Sequence, residues 1–559
     1  MKKGEFKYVV VLILIFHTFL VRAQDLENIR NEKPVVLTGQ LSQVGQTYSV
    51  WGIAPRNQAF GYTTSGNLNF KLYGVDIPFS FVYSSQELSY NQPFNQFGLS
   101  PTYRWIKVHL GYRSMSFSPY TLSNVIFLGA GVELTPGKFR FAAMYGRFNR
   151  KALVDSLSPG NAGAYRRMGY AVKMGVGSER NYFDVNFLKA VDDTSGLYEL
   201  RSRCGLTPAE NIVLGVSSKI SFTQALTLEV NGAVSAYSRD ITSDTITDEN
   251  AIVNSINKIF LLRTSSQFFT AGQALLAYKH KLFNMKLQYT RVDPDYKSMG
   301  ISYIQRDIEN VTAGGGVYFW KRKLTISGSF GIGRDNLNSR RTAQTNRTIG
   351  SFSVSVNPSP RYGSDFQYSN YGISQKKVLS NFRDSLKIYQ NSKNISWNNR
   401  YNIIGTSNTQ SLYILLSYQE MRDLNDLSIM KVDYQNYMTN AGYMFSLNTG
   451  LALGGSFLYN KMVSKIQNIE TLGPIINVSK VFSKKVNVGA TYTLNFQLKD
   501  HSKQSTINNI GCNASYTPFP RNILSAGMNY ISNKYAQGMS AGANSFRELR
   551  CTLTYSYNF

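Results

Sequence analysis

This 559-residue chain contains four histidines, the residue type best suited to acid–base chemistry at neutral pH. His17 lies in the apolar N-terminal run, His280 lies between two lysines, and His501 lies in a predicted loop. His109 shares the polar face of a predicted strand with Arg113. A nucleophilic enzyme needs a serine, threonine or cysteine beside a base that a third group orients. No histidine has such neighbours in the sequence, so we predict no catalytic residue.

Two glycine-rich runs and three cysteines are the remaining candidates for cofactor or metal chemistry. Gly314-Gly315-Gly316 and Gly129-Ala130-Gly131 precede neither a Gly-Lys-Ser motif nor a helix, so they lack the parts of a phosphate-binding loop. Strand glycines of this kind mark kinks or close contacts. No cysteine, histidine or acidic cluster has the spacing of metal ligands. We therefore predict no metal, no cofactor and no disulfide among Cys204, Cys512 and Cys551.

The last segment of the chain has the clearest structural pattern. Its apolar and polar side chains alternate one by one up to the final residue. Successive side chains on a strand point to opposite faces, so this pattern predicts a strand with lipid on one side and water on the other. The apolar positions are Leu549, Cys551, Leu553, Tyr555, Tyr557 and Phe559.

The same unit recurs along the chain as a strand, a tight turn, a return strand and a longer polar loop. About twelve such hairpins, one strand before them and the final strand predict roughly 26 strands. We therefore expect an all-β fold, a transmembrane antiparallel up-and-down β-barrel with short periplasmic turns and longer extracellular loops. A soluble sandwich or propeller would also alternate, but it would not need so many uniform strands with one apolar face each.

A barrel of this size has a lumen that its own wall side chains cannot fill, so we expect an occluding element. Two long loops contain helical spacing, at residues 252–260 and 378–389. Each helix could fold into the lumen and narrow it, or it could pack on the rim of the barrel. The sequence leaves both arrangements open.

The N-terminus has the pattern of a secretory signal peptide. Lys2, Lys3 and Lys7 precede an apolar run that is shorter than the ~20 residues of a membrane-spanning helix, and Ala23 precedes the expected cleavage site. The predicted organisation is a signal peptide over 1–23, a short periplasmic tail over 24–33 and the barrel over 34–559. The tail is too short to form the folded plug of energised transporters.

The formal charge of +27 is the compositional feature that bears on function. A lumen lined with one sign of charge concentrates the opposite ion, which predicts a preference for anionic solutes. Two alternatives remain, because basic residues beside turns can anchor the interface and basic loops can bind lipopolysaccharide phosphates. Nucleic-acid binding is disfavoured, because the charge is not gathered in one stripe. The basic residues predicted to line the lumen are Lys71, Arg113, Arg140, Lys173, Lys286 and Arg550.

The whole chain after residue 23 resembles the large outer-membrane β-barrels of Gram-negative bacteria. Tyr557 and Phe559 resemble the aromatic–x–aromatic ending that the barrel-assembly machinery reads, although Thr554 stands where that signal usually has glycine. Residues 92–101 and 129–150 look similar to a family of such barrels with no known role. The resemblance implies the cell outer membrane as location, with lipid, lipopolysaccharide and the assembly machinery as partners, but it implies no substrate.

Three functions are compatible with these observations. The favoured one is a porin-like transport channel whose lumen is narrowed by loops or a partner. The alternative is a structural or secretion-apparatus barrel whose lumen is filled by a periplasmic or plug protein. An outer-membrane enzyme is the weakest of the three, because no clustered polar triad is evident.

Overall fold

The fold is described from a computed structural model of the chain. It describes residues 35–73, 75–85, 96–152, 163–195, 197–246, 257–378, 387–427, 431–536 and 544–559. The predicted signal peptide and periplasmic tail therefore lie outside the described residues.

The chain forms 26 wall strands, β1 to β26, of which β4 is interrupted between Leu99 and Thr102. Apart from the interrupted β4, their length ranges from 9 residues in β5 to 17 residues in β16. In order they are Val35–Trp51, Phe60–Leu72, Val75–Ser84, Gln96–Leu99 with Thr102–Tyr103, Ile106–Ser114, Ile126–Leu134, Phe139–Asn149, Arg167–Gly177, Tyr182–Asp192, Glu210–Ser221, Leu226–Ser238, Ser266–Lys279, Phe283–Val292, Ile308–Phe319, Leu324–Arg334, Ala343–Ser359, Tyr362–Lys377, Tyr389–Ile404, Asn408–Asp423, Tyr434–Leu447, Leu451–Ser464, Asn468–Phe482, Val486–Lys499, Ser502–Tyr516, Asn522–Tyr535 and Phe546–Asn558.

The sheet closes because the first and last strands pair. β1 runs antiparallel to β26 from Gln40 opposite Asn558 to Trp51 opposite Arg547. Every other strand pairs with its neighbours in sequence, so no strand in the described part of the wall has a free edge. The predicted number of strands and the up-and-down topology are confirmed.

The outer face of the barrel is the apolar face of each strand. In β26, Leu553 and Tyr555 are exposed, whereas Ser556 on the other face is buried. The same exposed apolar phase is seen in Phe183 of β9 and Met285 of β13. The barrel is thus apolar outside, as the alternation predicted. None of the helices in the described ranges is long and apolar enough to cross a membrane.

Most of the short connections, the start of β1 and the end of β26 lie at one end of the barrel, and the longer loops lie at the other. By the usual rule for such barrels, the short-turn end faces the periplasm and the long loops face the exterior. A close contact occurs beside the C-terminus, where the Phe559 amide donates to the Gly39 carbonyl over 2.8 Å. Gly39 has a φ of 135°, and a Cβ there would lie 2.1 Å from the Asn67 carbonyl oxygen, so only glycine fits.

Two extracellular loops turn into the barrel. Residues 115–125 connect β5 to β6, residues 293–307 connect β13 to β14, and we call the two together the plug. They pair through a parallel bridge that joins Leu122 to Gly300 and Ser123 to Ile301. Their apolar side chains form the main core of the described part of the protein with the inward faces of β6 to β14. Within the described residues, the expected occluding element is therefore made of two loops for which no helix was predicted.

The two helical predictions have different outcomes. Most of residues 252–260 lies outside the described residues, but Phe260 packs with Leu262 against outward-facing Ile212 on the barrel rim. Residues 379–386 also lie outside the described part, and Tyr389 begins strand β18, so the helical spacing was misleading at that end. A short helix that the sequence did not predict, α1, spans Leu197–Cys204.

Candidate functional site

The plug is held together by hydrogen bonds between side chains of one loop and the backbone of the other. The Tyr296 hydroxyl donates to the Tyr120 carbonyl over 2.6 Å, and the Ser298 hydroxyl donates to the Thr121 carbonyl over 2.6 Å. Tyr120 and Tyr296 also meet edge to face, with ring centroids 6.4 Å apart. Burial raises the pKa of Tyr120 to about 12, so its hydroxyl stays neutral at physiological pH.

Polar side chains of the wall hold the plug in place. The amide oxygen of Asn211, which is fully buried, accepts a hydrogen bond of 2.9 Å from the Met299 amide. The Ser235 hydroxyl donates to the Lys297 carbonyl over 2.5 Å. The Lys297 ammonium in turn donates to the Tyr237 hydroxyl over 2.9 Å and lies over that ring. The plug is therefore fixed against the wall in one defined geometry, and it fills this side of the lumen.

The plug divides the lumen into two unequal environments. Inward residues of β7 to β12 such as Ala142, Ala171 and Ala233 are buried beneath it. Across the lumen, most inward residues of β13 to β26 are half-buried or exposed, with exceptions such as Ser505 and Ser556, and they are mainly hydroxyl and amide side chains. Examples are the hydroxyl pair Ser329–Ser351 at 2.6 Å and the amide pair Asn509–Asn529 at 3.0 Å. Open space therefore remains along a polar wall.

All six basic residues predicted to line the lumen lie on strand faces opposite the exposed apolar side chains, and three of them are engaged locally. Arg140 makes a bidentate ion pair with buried Asp184, with distances of 2.8 and 3.0 Å. The Lys173 ammonium lies 5.3 Å from the ring centroid of the plug residue Phe117. Arg113 donates to the Ser80 hydroxyl over 2.7 Å and to the carbonyls of Pro78 and Gly98. These three side chains hold the wall and the plug.

The other three basic residues have different surroundings. Lys71 lies opposite Asp76 across the β2–β3 pair. Lys286 is exposed and lies opposite Gly314, and Arg550 is exposed opposite Asn529. Within the described residues, neither Lys286 nor Arg550 makes an ion pair or a side-chain hydrogen bond. Their role in attracting anions stays a prediction.

The structure reveals a buried polar chain that the sequence did not predict. The Ser100 hydroxyl lies 3.1 Å from His109 Nδ1, and His109 Nε2 lies 2.7 Å from the Glu133 carboxylate. These residue types also form hydrolase triads, but Ser100 and His109 are only 7% and 4% exposed. The contact joins β4, β5 and β6, and it depends on strand register, which no local sequence pattern reveals.

The predicted assembly signal lies at the end of the last strand. The rings of Tyr557 and Phe559 meet edge to face with centroids 4.8 Å apart, at the periplasmic end of the seam. Among the described residues, no group of three histidine, cysteine or acidic side chains is arranged to hold a metal ion. Cys204, Cys512 and Cys551 are free thiols.

Comparisons with known proteins give structural matches only. No family model matches the chain, and no curated protein matches it. Among solved structures it is similar to OccAB4 of Acinetobacter baumannii, at 11% identity over 63% of this chain and 92% of that one, with a TM-score of 0.30. It is similar to the FrpB iron transporter of Neisseria meningitidis, F5-1 variant, at 10% identity over 93% and 82%, with a TM-score of 0.39. It is also similar to the anion-selective porin of Comamonas acidovorans, at 12% identity over 52% and 93%, with a TM-score of 0.27.

The class of the protein follows from the barrel itself. A closed antiparallel sheet with an apolar exterior and a polar wall inside is the structure that crosses a membrane with strands. The protein is a large outer-membrane β-barrel. The loops at the outer mouth and the two-sided lumen are the features that bear on its function.

Proposed function

We propose that the protein is an outer-membrane pore that admits small hydrophilic solutes. They pass through an off-centre channel between the plug and the polar wall of β13 to β26. Passage through a narrowed lumen depends on pore width and on the hydrogen-bonding groups along it. A surface of neutral hydroxyl and amide groups replaces part of the hydration shell of a solute without trapping it.

The difference in burial between the two sides of the lumen carries this proposal. Inward side chains beneath the plug, such as Leu188 and Val213, are fully buried. Inward side chains across the lumen, such as Ser329 and Thr491, remain exposed among the described residues. A wall that stays polar and accessible indicates water, because an interior filled by protein would favour apolar side chains there.

Single-channel recording in planar bilayers tests the pore. The full chain, refolded and inserted, is expected to give discrete conductance steps. A variant in which a short Gly-Ser linker replaces residues 116–124 is expected to give larger steps, because half of the plug is gone. A matched linker in the short extracellular loop 465–467 is the control and should leave the step size unchanged. Silence of both the full chain and the linker variant would refute the proposal.

A preference for anions is the finer part of the proposal. Lys286 and Arg550 are exposed inward cations without ion-pair partners in the described residues, and they would raise the local anion concentration. Reversal potentials in a KCl gradient are expected to show a preference for chloride. Replacing both residues with glutamine should reduce that preference. An unchanged reversal potential would contradict the proposed role of these two residues in anion selectivity.

Three further inferences concern Ser100, the end of the last strand and the free part of the lumen. We infer no hydrolytic role for Ser100, because burial keeps its hydroxyl from solutes in the lumen. Tyr557 and Phe559 would be read by the barrel-assembly machinery. A partner that fills the free part of the lumen, as in a secretion apparatus, is the alternative function. Purification in mild detergent would then recover such a partner in stoichiometric amount, and the isolated barrel would conduct only after its removal.

A further inference from the structure

A shallow cavity of about 500 Å³ indents the polar wall between β13 and β18, near its periplasmic end. Hydroxyl, amide and phenol groups line it, with one lysine among them. Pockets that bind small molecules are concave and hold a few polar groups that converge on the ligand. The lining residues that carry the argument are Lys286, Tyr318, Ser327, Ser353, Gln367 and Asn394.

The glycine run of β14 creates the concavity. Gly314 and Gly316 lie on the inward face, where neighbouring strands carry side chains. A Cβ at Gly314 would come within 3.3 Å of both Lys286 Cε and Ser329 Cβ. The lysine stem therefore crosses the space that a side chain at Gly314 would occupy. Gly314-Gly315-Gly316, which lacks the sequence features of a phosphate-binding loop, therefore makes room here for the Lys286 side chain.

The lining of the cavity carries a positive charge and no negative one. Lys286 is the only charged residue in its lining, and it has no ion pair within the described residues. Around it the hydroxyls of Ser327 and Ser353 pair at 2.6 Å, as do those of Ser329 and Ser351. Each hydroxyl donates one hydrogen bond and accepts two, so each pair keeps free capacity for a ligand.

We propose that this cavity is a binding subsite for a small polyol that carries one carboxylate or phosphate. The anionic group would meet the Lys286 ammonium, and the serine, glutamine and asparagine side chains would bind the hydroxyls. Charge-assisted hydrogen bonds are the strong ones, and the neutral groups supply selectivity for a hydroxylated chain. The inference rests on the proposed function, because the solute would reach the site through the pore.

Isothermal titration calorimetry on the full chain in detergent tests the subsite without requiring conduction. Gluconate and glucose 6-phosphate supply the two anionic groups, sorbitol lacks the charge, and acetate lacks the hydroxyls. At least one of the two anionic polyols is expected to bind about tenfold more tightly than sorbitol and acetate. Equal binding of all four probes, or of none, would overturn the proposal.

Variants locate the site. Lys286→Gln is expected to weaken binding of the preferred probe about tenfold and Lys286→Arg to retain most of it. Gly316→Val is expected to abolish binding, because Gly316 lies inward in the lining of the cavity and a side chain there would fill it. Arg550→Gln removes a second inward cation that makes no ion pair within the described residues, and it serves as the matched control. If Arg550→Gln weakened binding as much as Lys286→Gln, the effect would be the general field of the lumen, and the subsite would be refuted.

The two proposals fail in different ways. A barrel that binds the probe and stays silent in bilayers would refute the pore and leave the subsite intact. A conducting barrel that binds no anionic polyol more tightly than acetate would refute the subsite alone. Heat-modifiable migration on gels shows for each variant whether the barrel has folded.

Discussion

Removal of the Asn211 amide should release the plug from the wall. The Asn211 side chain is fully buried, and its oxygen accepts from the Met299 amide over 2.9 Å. Its nitrogen also lies 3.4 Å from the Lys297 carbonyl. In Asn211→Ala the buried Met299 N–H loses its acceptor, which costs about 2 kcal/mol. The cost falls on the docked state alone, because water satisfies the same N–H once the plug leaves the wall.

That energy predicts a measurable change in gating. A loss of about 2 kcal/mol raises the undocked population about thirtyfold. Single-channel records of Asn211→Ala should therefore show frequent visits to a larger conductance state that is rare in the unchanged protein. The larger state should match the conductance of the variant with the linker in place of residues 116–124.

Asn509→Ala is the matched control, because it also removes an inward asparagine from the wall. Asn509 is hydrogen-bonded to the Asn529 side chain at 3.0 Å and makes no plug contact among the described residues. Its records should resemble those of the unchanged protein. If Asn211→Ala folds and its large state is no more frequent than in the control, the docking geometry does not gate the lumen.

Three further changes have defined outcomes. Arg140→Ala leaves the Asp184 carboxylate, which is only 2% exposed, without its ion-pair partner. The variant should lose about 3 kcal/mol of barrel stability in urea unfolding monitored by gel shift. Arg140→Ala combined with Asp184→Ala should recover part of that loss. Burial raises the pKa of Tyr120 from 10.0 to about 12, so the undocked phenol ionises first and plug docking should weaken as pH rises from about 10 to 12. Large-conductance events should increase over that interval, and Tyr120→Phe should reduce the increase. Part of it should remain, because burial also raises the pKa of Tyr296. Deletion of Phe559 should lower the fraction of chains assembled in the outer membrane, measured by surface protease protection, and an unchanged fraction would exclude its role as an assembly signal.

The wall of the barrel could be predicted from the sequence because each strand carries its own information. Alternation along β26 assigns Leu553 and Tyr555 to one face and Thr554 and Ser556 to the other without reference to any other strand. Tight turns then join neighbours in order, so the strand number follows from counting hairpins. Closure requires only that the final strand meets β1, as it does.

The plug could not be predicted because it depends on contacts between distant loops. Tyr296 and Tyr120 are 176 residues apart, and neither loop has a periodic pattern. The Ser100–His109–Glu133 chain was missed for the same reason, since the relative register of β4, β5 and β6 decides which inward residues meet. The helical spacing near Tyr389 was misleading because an outward strand residue happened to fall in phase with it.

The inward positions nevertheless differ between the two halves of the wall, and that difference explains where the plug lies. Strands β7 to β12 place small apolar residues inward, whereas β23 to β25 place Thr491, Asn509 and Asn529 there. An alanine that faces water adds no packing energy. Beneath a folded loop it makes apolar contacts and leaves room for large side chains such as Phe117 and Tyr296. Strand alternation tells inside from outside, and alanine at inward positions marks the covered part of the wall, where the buried asparagines Asn186 and Asn211 are hydrogen-bonded. The covering alanines are Ala142, Ala171, Ala190, Ala233 and Ala271.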